Sequence, residues 1–269
     1  MKPITLITGA SAGIGTALAR EFAAHGHELV LVARRADRLE ALADAIAGCG
    51  RPRPTVLALD LGRRDAVATL AAALAARGLE PDNVVNNAGF GLTGPAAALD
   101  RNEQLAMIDL NVRLLTELSL AFIDSLQRHR GGILNVASTA AFLPGPGMAV
   151  YYASKAYVLS FSEALHQEFK RRGIRVTAVC PGPVLTEFQA RAGLKLGGYL
   201  RLLPPVSAER VARLAYRGLM RGKRVVIPGP FNRISAITAR LSPHAVLNVV
   251  TDQSRRYAAG ENKPRGGAL

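Results

Sequence analysis

The stretch AVYYASKAYVLSF, residues 149–161, sets two tyrosines close to one lysine. Tyr151 precedes Lys155 by four positions and Tyr152 precedes it by three, and on a helix both spacings let side chains meet. A free phenol has a pKa of about 10 and is a weak proton shuttle at neutral pH. A nearby ammonium favours the phenolate and lowers that value, so a Tyr/Lys pair on one helix face can exchange a proton with a substrate. Ser138 ends the apolar run GILNVAS (132–138), where its hydroxyl can reach a substrate oxygen. Competing chemistries lack their parts. The five histidines have no metal-ligand spacing, Cys49 and Cys180 make no zinc site, and Ser138 has no evident His/Asp partners for acyl transfer.

A second constellation is TGASAGIG (8–15), with Gly9, Gly13 and Gly15 spaced G-x-x-x-G-x-G. Glycines permit a tight turn and close backbone approach, and the helix that follows offers unpaired N–H groups to a pyrophosphate. Taken alone, the glycines also suit a plain connection between a strand and a helix.

The surrounding chain alternates short β-type runs with Ala/Leu-rich helical runs. The β-type runs are 4–8, 27–33, 55–59, 83–86, 132–138, 174–180 and 223–229. Helical runs follow the glycine turn and recur near 36–47, 64–76, 103–128 and 150–171. Continuous apolar strands separated by helices predict an α/β fold: a doubly wound (Rossmann) parallel sheet of about seven strands with helices on both faces. We expect one such domain over 1–229, with 189–205 as a mobile segment covering the site. A basic helical extension is expected over 230–257 and a disordered tail over 258–269.

In such a fold the end of the second strand faces the adenosine ribose, where an acid suits NAD and an arginine the 2′-phosphate of NADP. Here ARRADRL (33–39) places Arg34, Arg35 and Arg38 and no acid at the strand end. Cations are disfavoured at a helix N-terminus, so clustered arginines there point to a bound anion. The predicted cofactor is NADP (NADPH).

TGASAGIG, NNAG (86–89), Asn111, Ser138, YYASK and PGPVLT (181–186) occur in an order and spacing that resemble the short-chain dehydrogenase/reductase family. The resemblance covers 1–188 well and 200–228 loosely. It implies an NADP(H)-dependent oxidoreductase that interconverts a ketone or aldehyde and an alcohol by hydride transfer, with Tyr151 as general acid/base. Lys155 would tune the phenol and hold the nicotinamide ribose, Ser138 would bind the substrate oxygen, and Asn111 would anchor a water. The lysine at i+4 and the thirteen-residue interval from Ser138 select Tyr151 and leave Tyr152 as a packing neighbour. The same resemblance implies that Gly9, Ser11, Gly13, Ile14 and Gly15 cradle the phosphates, beside Arg34, Arg35 and Arg38. Asp60 and Leu61 would meet the adenine, with Asn86, Asn87, Ala88 and Gly89 at the adenosine ribose and sheet. Pro181, Gly182, Val184 and Thr186 would hold the carboxamide. By residue type alone, Asp60 is equally a helix N-cap and NNAG a turn. The family also implies a homodimer or homotetramer, paired through the helices near 103–128 and 150–171.

The formal charge is +14, and 15 Lys/Arg against 3 Asp/Glu fall beyond residue 188. Arg210, Arg213, Arg217 and Arg221 lie near one helical stripe, and Phe231, Ile234, Ile237 and Leu241 recur at helical spacing. The basic region 207–257 could pack on the domain, meet a second subunit, lie on an anionic membrane, or guide an anionic substrate. Few aromatics are interleaved with the basic residues, so a specific nucleic-acid partner is not expected. Two cysteines and no secretory leader predict a reducing, cytoplasmic setting, membrane-peripheral at most. A non-catalytic nucleotide-binding sensor or scaffold of the same fold is the rival reading; its mark would be loss of Ser138, Tyr151 or Lys155, and all three are present. FGLTG (90–94) and AAFLPGPG (140–147) suggest an apolar pocket, without fixing the substrate.

Overall fold

The computed structural model describes residues 1–193 and 206–241. The expected tail 258–269, and the parts 194–205 and 242–257 of the other two expected segments, lie outside them. Seven parallel strands form one sheet in the order β3-β2-β1-β4-β5-β6-β7. They are β1 Lys2–Thr8, β2 Leu29–Ala33, β3 Thr55–Ala58, β4 Leu79–Asn86, β5 Gly132–Val136, β6 Arg175–Val179 and β7 Val225–Val226. The helices are α1 Gly13–Ala24, α2 Ala36–Gly48, α3 Ala66–Ala75, α4 Arg101–Ile108, α5 Leu115–Ala121, α6 Ile123–Arg128, α7 Ala149–Lys170, α8 Glu187–Arg191 and α9 Ala208–Met220, which lie between strands, and α10 Pro230–Leu241, which follows the last strand.

The continuous apolar strands have a direct physical reason. Successive side chains of a strand point to opposite faces. Ile7, Leu29, Leu31, Val85, Leu134 and Val179 enter a core with α1, α2 and α9. Ile4, Leu6, Val30, Val32, Val84, Ile133 and Val176 enter another with α3, α5, α6 and α7. Both faces are buried, so both sets must be apolar.

Three elements differ from the sequence reading, the first being β7, which keeps only Val225–Val226 of the expected 223–229. The single helix expected over 103–128 is interrupted by a π-turn, Asp109–Leu114, between α4 and α5. It breaks again at Phe122, whose φ of −117° and ψ of 21° leave the helical region. β4 begins at Leu79, four residues before the expected start, because its first half reads LEPD. A register shift opposite Ile4/Thr5 absorbs the irregularity beside Pro81. Buried Glu80 is matched there by Arg128 and by His129, the latter at 2.7 Å.

α10 lies against the 3₁₀ turn Thr139–Phe142 and α7. Ala236 and Ala239 are buried, and Arg240 meets Glu163 at 3.0 Å. Phe231, Ile234 and Ile237 face outward on it. Among the described residues no helix is long and apolar enough to cross a membrane.

Candidate active site

The strand order reverses between β1 and β4, and a cleft opens there at the carboxyl ends of the strands. Its volume is about 910 Å³. Of the residues singled out in the sequence, Gly9, Ser11, Gly13, Ile14, Arg34, Arg35, Asp60, Leu61, Asn87, Ala88 and Gly89 line it. Ser138, Tyr151, Lys155, Pro181, Gly182, Val184 and Thr186 line it too. Gly15, Arg38, Asn86 and Asn111 are not part of its lining.

The glycine turn is built by steric necessity. Gly9 and Gly13 have φ of 65° and 56°, in the left-handed region. A Cβ on Gly9 would lie 2.9 Å from the Ala88 Cα, and one on Gly15 would lie 2.2 Å from the Gly9 carbonyl oxygen. Gly15 therefore lets α1 approach the turn from beneath. Asn87 Nδ2 donates to the carbonyls of Thr8 and Gly9 at 2.9 and 3.1 Å, and the Thr8 hydroxyl accepts from the N–H groups of Asn87 and Ala88. Asn86 points instead into the sheet, where its Nδ2 donates to Asn135 Oδ1 and Ser119 Oγ. Ala12 gives α1 no side-chain cap, so the first-turn N–H groups face the cleft without a competing protein acceptor of that kind. This lining, a Cβ-free cradle ahead of an uncapped helix start, fits a dinucleotide pyrophosphate. Asp60 forms a turn, accepting from the Gly62 N–H at 3.0 Å, and α3 starts only at Ala66; it is not a helix N-cap.

At the other end of the cleft, α7 projects Tyr151 and Lys155. Lys155 is 7% exposed, and its Nζ donates to the Val136 carbonyl at 2.8 Å and lies 5.8 Å from the Tyr151 ring centroid. Burial pushes the Tyr151 phenol up to about 12, and a hydrogen bond with Ser138 offsets part of that rise. Burial likewise brings Lys155 down to about 8. The sequence led us to expect an ammonium-depressed phenol; here desolvation of the phenolate dominates, and the phenol stays protonated at neutral pH. The buried Cys180 thiol is pushed up to about 12 by the same cause and is unreactive.

Asn111 occupies the π-turn, a distortion common where a helix must re-aim a side chain. Its Oδ1 accepts from the Phe90 N–H at 3.1 Å, and its Nδ2 donates to the Phe90 carbonyl and Ser154 Oγ. A Cβ on Gly89 would sit 2.8 Å from that Oδ1. Asn111 thus ties the loop after β4 to α7 beside Lys155.

Several residues entered the site without a sequence signal. Phe188 packs against Tyr151 with ring centroids 5.4 Å apart. Tyr152, read as a packing neighbour, also lines the cleft. Asn232 of α10 is 4% exposed and backs Gly182, where a Cβ would lie 2.3 Å from its Oδ1. Thr186 caps α8, accepting from the Phe188 N–H while Gln189 Oε1 accepts from the Thr186 N–H. The TEFQ spacing of that capping box was visible in the sequence.

The three arginines part company. Arg35 Nη1 donates to Glu187 Oε2 at 2.9 Å, and its Nε and Nη2 reach Ser11 Oγ at 3.3 and 3.2 Å. Arg38 pairs with the other carboxylate oxygen of Glu187. Arg34 lines the cleft and has no ion pair among the described residues. Arg191 of α8 also lines the cleft, with its guanidinium 4.7 Å from the Phe90 ring centroid.

Comparison with known proteins agrees with this geometry. Residues 3–196 match the short chain dehydrogenase family. Sulfoacetaldehyde reductase of Chromohalobacter salexigens is 40% identical over 191 residues, covering 70% of this chain and 75% of that protein. NADP-dependent 3-hydroxy acid dehydrogenase of Salmonella typhi is 37% identical over 190 residues, covering 70% and 75%. A short-chain dehydrogenase from Sphingobium yanoikuyae, solved in complex with NADPH, superposes with a TM-score of 0.76 at 32% identity, covering 100% of this chain and 99% of that one. With the glycine turn, the switch-point cleft and the Ser138–Tyr151–Lys155 group in one place, the chain belongs to the short-chain dehydrogenase family of oxidoreductases acting on CH–OH groups.

Proposed function

We propose that this protein is an NADPH-dependent reductase that converts a ketone or aldehyde to an alcohol, with Tyr151 as the proton donor. The observation that carries this reading is the sharing of one cleft by a glycine cradle, Arg34, which has no ion pair among the described residues, and a protonated, half-buried Tyr151 beside Ser138 and Lys155. Bound NADPH supplies the hydride. The reduced carbonyl oxygen then needs a proton, and a phenol held near 12 by burial is loaded to give one at neutral pH. Ser138 orients that oxygen by hydrogen bonding. Lys155, mostly charged at neutral pH, favours the phenolate left behind and holds ribose hydroxyls. Asn111 keeps the Phe90 loop and α7 in register, with a water at its amide as the route to solvent.

The remaining contacts follow the order of the cleft. Gly9, Ser11, Gly13 and Ile14 take the phosphates, with Gly15 supporting them. Asp60 and Leu61 take the adenine, and Asn87, Ala88 and Gly89 the adenosine ribose. Pro181, Gly182, Val184 and Thr186 take the carboxamide. Arg34 reads the 2′-phosphate. The NADPH-bound relative and the NADP-dependent 3-hydroxy acid dehydrogenase support the cofactor assignment. Leu105, Ile108, Leu120 and Tyr157, exposed on α4, α5 and α7, suit a subunit contact in a homo-oligomer.

The test is NADPH oxidation across small anionic aldehydes and keto acids, neutral ketones, quinones and 3-oxoacyl thioesters. The names of the relatives and the Arg191 guanidinium in the cleft put the small anionic carbonyls first. Turnover with one class is the expected result. No turnover with any class, together with no NADPH binding, would refute the reading.

A further inference from the structure

Two of the three arginines after β2 do not face the cofactor pocket with open hands. Arg35 has extended backbone, with φ of −88° and ψ of 92°, so its side chain diverges from that of Arg34. Arg38 stands one turn further along α2, on the same side as Arg35. Both reach Glu187, which comes from the opposite wall of the cleft, 152 and 149 residues away in sequence. Arg35 also grips Ser11 of the glycine turn. The network therefore joins the end of β2, the glycine turn and α8 across the trough in which a dinucleotide lies. α8 carries Phe188 against Tyr151 and Arg191 over Phe90, so the same helix covers the catalytic end. Arg34, lining the cleft without an ion pair among the described residues, is the guanidinium left for a 2′-phosphate.

We infer that Arg35, Glu187 and Arg38 form a clasp that retains the bound cofactor, while Arg34 alone selects NADP over NAD. The inference rests on the NADP reading above. Glu187 is here a positioning residue: it holds α8 down and does not touch the reacting atoms. Because the clasp spans the trough irrespective of the ribose substituent, it acts on NADPH and NADH alike. The carboxylate gives Arg35 and Arg38 one shared counter-ion, so each spends a hydrogen-bonding edge on Glu187.

The experiment is stopped-flow release of NADPH and of NADH from the wild-type protein, Glu187→Gln, Arg38→Ala and the double variant, followed by cofactor fluorescence. Glu187→Gln should speed release of both cofactors by the same factor, about three- to tenfold, the scale of an exposed ion-pair network. The double variant should release no faster than Glu187→Gln, since both break one network. Release of NADH, which has no 2′-phosphate for Arg34 to hold, should quicken with salt more steeply from the wild type than from Glu187→Gln. Unfolding temperatures within the wild-type range would show that the fold is retained. Unchanged release would overturn the clasp. Slower release of NADPH alone would overturn it too, by showing that Glu187 competes with the 2′-phosphate. Failure of the underlying cofactor reading looks different: the wild-type protein itself would not bind NADPH.

Discussion

The two ends of the cleft use charge in opposite ways. At the catalytic end, Lys155 is 7% exposed and its neighbour Tyr151 is shielded by Phe188, so desolvation governs both groups. At the arginine end, Arg35, Arg38 and Glu187 have side chains 40%, 46% and 51% exposed, and direct pairing holds the Glu187 carboxyl below its ordinary range. Water weakens each of those pairs, so the exposed end can open and close, whereas the buried end stores a fixed protonation state. The lesson is that ionisable side chains along one cleft do different work according to burial, which sequence spacing does not report.

The sharpest way to break the comparison is to remove the buried proton. Tyr151→Phe should lower turnover by about 10²–10⁴-fold, the usual weight of a general acid, with cofactor affinity nearly unchanged. A steady-state kcat close to wild type would end the assignment of Tyr151, and with it the idea that this end is the chemical one. A smaller effect is expected at the exposed end. Arg34→Ala should weaken NADPH binding about 10- to 100-fold, the scale of lost charge-assisted hydrogen bonds, and leave NADH binding almost unaltered. Equal losses for the two cofactors in a fluorescence titration would contradict the division of labour between Arg34 and its neighbours.

Much of this was legible before any coordinates. Most of the strands announced themselves because they feed alternate residues to two cores and so read as apolar runs. The Tyr151/Lys155 pair and the glycine turn are local in sequence, and their spacing carries their geometry. What stayed hidden depends on distant partners. The first half of β4 looks like a loop because Glu80 and Pro81 are acceptable there only with Arg128, His129 and a register shift. The π-turn at Asn111 leaves the apolar pattern of its helix intact, so periodicity could not reveal it. Glu187 and Asn232 gave no signal, since Arg35 and Gly182 find them only in the folded chain.

The last prediction reports directly on the buried end. Lys155 in the folded protein titrates near 8, against an ordinary value of 10.5. Between those values the unfolded chain binds more protons at this position than the folded one, so stability from this group rises with pH. Below about pH 8 the buried ammonium is present in full and that contribution is lost. Tyr151 acts the other way but only higher up: its phenol ionises near 12 when folded and near 10 when unfolded, so its contribution declines above pH 10. Cys180, raised to about 12 from an ordinary 9, likewise declines above pH 9, so the window from pH 8 to 9 isolates the lysine. Chemical unfolding of wild type and Lys155→Met across that window should show the wild type gaining on the variant as pH rises. A constant difference would mean that the Lys155 ammonium is solvated in the folded state, and that the two ends of the cleft are electrostatically alike after all.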